Sequence, residues 1–212
     1  MARNYTKGAR TAAAFQEAAR RRFAADGYLA TKVEDIAREA DKSPASFYNY
    51  FDGKADVLAA IARDFHEDTR RLISVPYREG QSHLDAVTEA ITIFWANYRD
   101  RLGALSGVFQ ASMIDPEFLE QWRTIRADAI SFIAMGIRTA QEQGYCPGID
   151  PEVTGSALSS MIEHFCYVWL AQGGDAIGVP FDEARAIDSL VNIWYHAIYW
   201  LPDERGGATT RS

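Results

Sequence analysis

The chain has 212 residues, 48% of them hydrophobic, which is enough to bury a full core in one large domain or two modest ones. Its net charge of −7 is unevenly spread: residues 1–54 hold ten Lys/Arg against seven Asp/Glu, whereas residues 55–212 hold twelve against twenty-two. There is no run of 18 apolar residues, no disulfide framework from only two cysteines and no apolar signal core in MARNYTKGAR, so the expectation is a cytoplasmic protein with no membrane partner.

Apolar residues recur at helical spacing almost throughout and strict alternation is scarce, so the expected class is all-α with about nine helices. The first helix is expected over 10–26, with Phe15, Ala18, Ala19 and Phe23 on one stripe and Gly27 ending it. Thr31 has the chemistry of an N-cap for a second helix, in which Val33, Ile36, Ala37 and Ala40 share a face. ADKS then makes a tight turn, Ser43 caps a third helix, and Pro44 takes its first position, where a missing N–H costs nothing. Asp52-Gly53 breaks the chain before a fourth helix over 54–72. Ser82 caps a fifth (83–100), a sixth spans 102–114, and Asp115-Pro116 opens a seventh that runs to 143. Asp150-Pro151 starts an eighth reaching 172, GGDAIGVP reads as a loop, and a ninth spans 182–200. DERGGATTRS is expected to fray.

No catalytic motif interrupts this pattern. GxSxG, P-loop and GxGxxG are absent, and the histidines (His66, His83, His164, His196) lack HxxxH or HExxH spacing. The expectation is therefore no enzyme, no metal and no cofactor, with Cys146 and Cys166 as ordinary thiols. His66, beside Glu67 and Asp68, reads as part of a solvated face.

The segment SPASFYNYFDGK (43–54) is the most informative stretch. On a helical wheel Phe47 and Phe51 share a face with Pro44 and Tyr50, while Ala45 and Asn49 point the opposite way and Ser46 and Tyr48 flank them. A short helix with a greasy back and a small polar front, four residues after another short helix, makes a helix-turn-helix. Its front suits a DNA groove. Ala45 and Ser46 permit close approach, Asn49 can pair bidentately with adenine, and Tyr48, Thr31 and Lys54 carry donors suited to phosphate.

The stretch 10–65, with FAADGYLATKVEDIAREADKSPASFYNYFDGKADVL, resembles the TetR/AcrR family of transcriptional repressors. The resemblance rests on Ala-Thr before the second helix, a Ser/Pro-rich third helix ending in an aromatic run, and a Lys opening the fourth. It implies contacts to double-stranded operator DNA at Thr31, Ser43, Ala45, Ser46, Tyr48, Asn49, Tyr50 and Lys54. It also implies a three-helix DNA-binding domain over 1–54 and a helical domain over 55–212 that dimerises and binds a small-molecule inducer. The sequence departs at the turn, where Asp41 and Lys42 replace the usual Gly and aliphatic residue. Aspartate tolerates the left-handed conformation such a turn requires, and Lys42 is expected to reach a phosphate.

In the remainder, the last helix is apolar on two sides: Leu190, Ile193, Trp194, Ala197, Ile198 and Leu201 on one, Ile187, Val191, Tyr195 and Tyr199 on the other. Burial against its own domain and a second copy explains this, and points to a homodimer. Phe94, Trp95, Tyr98, Phe109, Met113, Trp122, Phe132 and Met135 are expected to surround a cavity for a flexible apolar ligand, with Met161 and Trp194 completing the lining. Glu163 either orients that ligand or faces solvent. VNIWYHAIYW and ALSSMIEHF resemble the ethionamide-monooxygenase repressor group of actinobacteria, which implies a long hydrophobic tunnel lined in part by Trp95, Trp194 and Glu163. The expected inducer is a fatty acyl, acyl-CoA or sterol-like molecule. The alternatives are a multidrug regulator holding a cationic drug and, further out, a helical interaction protein that binds no DNA.

Overall fold

The computed structural model describes residues 7–74, 80–175, 178, 180 and 182–202, and all regular structure among them is helical. Helix α1 (Lys7–Asp26) buries Phe15, Ala18, Ala19 and Phe23 and ends at Gly27, whose φ of +79° suits a residue without a Cβ. Helices α2 (Val33–Glu39) and α3 (Pro44–Phe47) form the helix-turn-helix against it. Phe47 is wholly buried and meets Phe15 edge-on at 5.2 Å.

The turn between α2 and α3 closes as the sequence requires. Asp41 adopts φ +54°, its N–H donates to Arg38 O (3.1 Å), and the Lys42 N–H donates to Ala37 O (2.9 Å). These paired bonds satisfy the last carbonyls of α2, so aspartate does here what glycine does at many helix ends. Ser43 then caps α3 by accepting the Ser46 N–H at 3.1 Å.

Two expectations for this region are corrected. Thr31 is not the cap of α2; Lys32 occupies that position, and Thr31 is buried with its hydroxyl donating to Gly27 O at 2.7 Å. A threonine so placed ties α2 back to the end of α1. In α3, only Phe47 and Phe51 of the anticipated apolar face are buried; Pro44 is exposed, and Tyr50 is half-exposed with its ring 6.0 Å from Phe15. One turn of helix is too short to hold four residues on a single buried face.

Helix α4 (Lys54–Ile73) runs out of this module into the body, packing on α1 at one end and on α5 (His83–Arg99), α6 (Leu102–Ile114) and α7 (Pro116–Glu142) beyond. Asp115 and Asp150 accept N–H groups of the first turns of α7 and α8 (Pro151–Cys166), at 3.0 and 2.9 Å, each cap contributing about 1 kcal/mol. The eighth helix does not stay α-helical to 172: it becomes a π-helical turn over Tyr167–Ala171, terminated by Gly173 and Gly174 at positive φ. Asp182 caps α9 (Glu183–Ile198), which packs on α5. The Cys146 N–H donates to Trp200 O at 2.8 Å, fastening the end of α9 to the α7–α8 connection. The expected frayed tail, 203–212, and part of the GGDAIGVP loop lie outside the described residues.

The body grips the N-terminal module where α6 crosses α1. A Cβ on Gly103 would lie 2.4 Å from the Ala24 Cα, and one on Gly107 would lie 2.8 Å from the Tyr28 Cβ. Glycine at both positions is what lets the two helices approach this closely.

Candidate nucleic-acid interface and internal cavity

The face of the helix-turn-helix carries Lys42, Ser43, Ala45, Tyr48 and Asn49, all exposed, with Ser46 partly covered. The Asn49 amide has no side-chain hydrogen bond among the described residues, so its donor and acceptor face outward together. Tyr48 stands edge-on to the buried Phe47 ring at 5.7 Å, which fixes where its hydroxyl projects. The Ser43 oxygen accepts the cap bond, and its own proton remains available to donate. Lys42 Nζ reaches only its neighbour's carbonyl, Asp41 O, at 3.0 Å.

Two of the residues expected to meet phosphate are placed otherwise. Thr31 is buried, and its hydroxyl is committed to Gly27 O. Lys54 Nζ donates to the carbonyls of Tyr28 (2.9 Å), Leu29 (3.0 Å) and Thr31 (3.0 Å), and sits 4.6 Å from the centroid of the Tyr28 ring. An ammonium has three protons, and all three are engaged. Partial burial holds the Lys54 pKa below its ordinary value. Lys32, exposed at the start of α2, is the basic group that stands where the Thr31 contact was expected.

In the body, α4, α5, α7, α8 and α9 enclose a cavity of about 460 Å³. Its walls are stripes at helical spacing: His66, Thr69, Arg70 and Ile73 on α4; Val87, Ala90, Ile91 and Phe94 on α5; Ala129, Phe132, Ile133 and Gly136 on α7. Trp194 and Ile198 close it from α9, and Ser159, Ile162 and Glu163 from α8. Arg70, Leu72 and Met135 are exposed and mark the mouth.

Glu163 is the buried acid of this cavity. Its carboxylate accepts the Ser159 hydroxyl at 3.0 Å and lies 3.2 Å from Arg126 Nε, an ion-pair contact without hydrogen-bond alignment. Burial pushes the Glu163 carboxyl above its ordinary pKa, against the opposing pull of Arg126 and Ser159. His66 is not on a solvated face. Its ring lies between Phe65 (5.0 Å) and Trp122 (5.5 Å), its Nε2 is shielded without a partner, and burial followed by the charge of Arg126 lowers its pKa to about 4. It is therefore neutral at physiological pH.

A match to the "Bacterial regulatory proteins, tetR family" model covers residues 16–61, and one to the "Transcriptional regulator EthR, C-terminal domain" model covers residues 87–200. The chain belongs to the TetR family of transcriptional regulators. Among curated proteins it is 26% identical over 170 residues to the HTH-type transcriptional regulator EthR of Mycobacterium tuberculosis, covering 79% of this chain and 77% of that one. It is 25% identical over 174 residues to the uncharacterized HTH-type transcriptional regulator YdgC of Bacillus subtilis, covering 79% and 85%. Among solved structures, Salmonella enterica GusR superposes with a TM-score of 0.74 at 18% identity, over 91% of this chain and 97% of that one.

For this TetR-family regulator the cavity takes up five of the eleven anticipated lining residues: Phe94, Phe132, Met135, Glu163 and Trp194. The other six are elsewhere. Trp95 and Tyr98 are buried in the core, near Phe165 (6.4 Å) and Phe65 (5.9 Å). Phe109 rests on Tyr167 at 4.9 Å, Trp122 covers His66, Met161 packs into the core, and Met113 is 81% exposed. Adjacent residues on a helix differ by 100°, so Phe94 and Trp95 cannot both face one space. Thr69, Ile133, Ser159 and Ile162 were missed, although the recurrence at 66, 69, 70 and 73 on α4 is a sequence signal for such a wall. No group of three or more His, Cys, Asp or Glu among the described residues could hold a metal ion, and no described helix is long and apolar enough to cross a membrane.

Proposed function

We propose that this regulator is a repressor that binds a palindromic operator as a homodimer and is released by an uncharged, largely apolar molecule held in the cavity of the body. Residues 1–54 act as the reading unit and 55–212 as the sensing and dimerising unit, with α4 shared between them. The observation that carries the ligand class is the buried Glu163 carboxylate on the cavity wall, ion-paired with Arg126, which is not itself a lining residue. With the carboxyl ionised, the pair has no net charge. A carboxylate ligand would bring a second anion beside Glu163, and an ammonium would bring a second cation beside Arg126. In a low-dielectric site either costs more than an alcohol or amide, whose donor the remaining Glu163 lone pairs can accept. This favours a fatty-chain or sterol-like molecule with a neutral polar end over the cationic drug of a multidrug sensor. The cavity volume falls within the range of about 300–1,000 Å³ usual for small-molecule sites.

Dimerisation is supported by the outward faces of α8 and α9. Val153, Ala157, Ser160 and His164 recur at helical spacing and are exposed, as is Ile193 on α9. Operator contact is assigned to Ser43, Ala45, Ser46, Tyr48, Asn49 and Tyr50, with Lys32 and Lys42 reaching for phosphate.

The test is a chain-matched series of 1-dodecanol, dodecanamide, dodecanoate and dodecylamine. Each is scored for thermal stabilisation and for release of DNA in a mobility shift. The alcohol and amide are expected to raise Tm and release DNA at the lowest concentrations. In Glu163→Gln, which leaves the Arg126 charge uncompensated, preference should move toward dodecanoate. Tighter binding of dodecylamine than of dodecanol by wild type would replace this reading with the cationic one.

A further inference from the structure

Lys54 is the first residue of α4, and the charge there suits a phosphate, yet the structure gives that charge other work. Its ammonium converges on three carbonyls of one short connection, those of Tyr28, Leu29 and Thr31. This connection joins α1 to α2, so three peptide dipoles that would otherwise lack partners are gathered on one cation. The same ammonium lies over the Tyr28 ring. Tyr28 in turn is held against α6, where Gly107 meets its Cβ. One side chain thus ties together the start of α4, the entry to the helix-turn-helix and the point where the body grips the module.

We propose that Lys54 is a positioning residue, an internal clamp that sets where α2 and α3 stand relative to α4 and α6, and makes no phosphate contact. The inference rests on the DNA-binding reading above only for its affinity readout. It implies that any shift at the start of α4 is carried to the helix-turn-helix through this clamp, because α4 cannot move its first residue without moving the carbonyls bound to it.

A clamp and a phosphate contact respond oppositely to two changes. A lost phosphate contact lowers the slope of log affinity against log salt by about 0.9, whereas a lost clamp leaves the slope alone. Arginine serves a phosphate at least as well as lysine does, but its planar fork cannot point three N–H groups at three converging carbonyls. The comparison uses wild type, Lys54→Met and Lys54→Arg on a duplex that wild type enriches from a random-sequence library, between about 50 and 200 mM salt. Hydrogen exchange of the amides over 28–36 is followed in the same proteins without DNA. Lys54→Arg keeps both stem and charge, so it guards against a methionine variant that folds poorly.

The expected result is at least a tenfold loss of affinity in both variants, an unchanged salt slope and severalfold faster exchange over 28–36. Wild-type affinity in Lys54→Arg, a shallower slope in Lys54→Met and unchanged exchange would overturn the clamp. If wild type binds no duplex, the operator reading fails, and the exchange measurement still decides the clamp.

Discussion

The two halves of the molecule use aromatic residues in opposite ways. In the N-terminal module Phe15, Phe23 and Phe47 are at most 2% exposed and belong to one core cluster, so the functional groups are on the outside of a closed core. In the body, Phe94, Phe132 and Trp194 stand around a cavity of about 460 Å³, so the functional surface is on the inside of an open one. A closed core holds a recognition surface rigid, while a cavity supplies a second state whose energy a ligand can change. The polar groups do not follow this division: Thr31 in the module and Glu163 on the cavity wall are both hydrogen-bonded, whereas Arg22 Nε in the module and His66 Nε2 on the cavity wall are both shielded without a hydrogen-bond partner among the described residues.

The strongest way to break this contrast is to open the closed half. Phe47→Ala should cost about 3–5 kcal/mol of stability and abolish DNA binding with it, because the void cannot collapse beneath a single helical turn. Phe132→Ala on the cavity wall should leave the melting temperature nearly unchanged and weaken inducer response instead. Chemical denaturation of both variants checks the pair, and equal losses would mean that the cavity residue is ordinary core.

Next in size is the joint between the halves. Gly103→Val places a side chain into the Ala24 backbone and should cost about 1–3 kcal/mol or more, while loosening the link from inducer to DNA. Gly136→Ala, where a Cβ meets nothing within 4 Å, serves as the control on the cavity side. A Gly103→Val protein as stable and as inducible as wild type would show that α6 does not grip α1.

Asn49→Ala should lose about 1–3 kcal/mol on the selected duplex and relax preference at one base pair, with no change in melting temperature. Mobility shifts on selected and mixed-sequence DNA decide this; equal losses on both would make Asn49 a non-reader.

The last effect is electrostatic and appears only on acidification. His66 has a folded pKa of about 4 against an ordinary value of 6.5, so the unfolded chain binds the extra proton between these limits. Stability should therefore fall as pH drops from about 6.5 to about 4, with a slope of at most about 1.4 kcal/mol per pH unit. Glu163, raised by burial, acts in the opposite sense, its contribution being lost as pH rises through its folded pKa. Melting curves across this window should flatten in His66→Phe relative to wild type.

Much of this was legible from local patterns. Helix starts at Ser43, Ser82, Asp115, Asp150 and Asp182 follow from capping chemistry that depends on three or four neighbouring residues. The left-handed turn at Asp41 is equally local. Thr31 was misread for the same reason: its sequence neighbours fit a cap, but the carbonyl it bonds belongs to the end of α1. Lys54 likewise carries a charge suited to phosphate in the sequence, and only the folded α1–α2 connection supplies the three carbonyls its ammonium meets.

By itself the sequence determined the helices, most of their ends, the helix-turn-helix and the family, because each depends on interactions within a turn or two of chain. Only the tertiary structure decided which aromatic residues line the cavity and which fill the core, that the His66 ring lies between Phe65 and Trp122, and that Glu163 meets Arg126 from another helix. Those outcomes depend on how helices rotate and pack against one another, and a rotation of one residue's 100° exchanges a wall for a core without altering the pattern that made the helix.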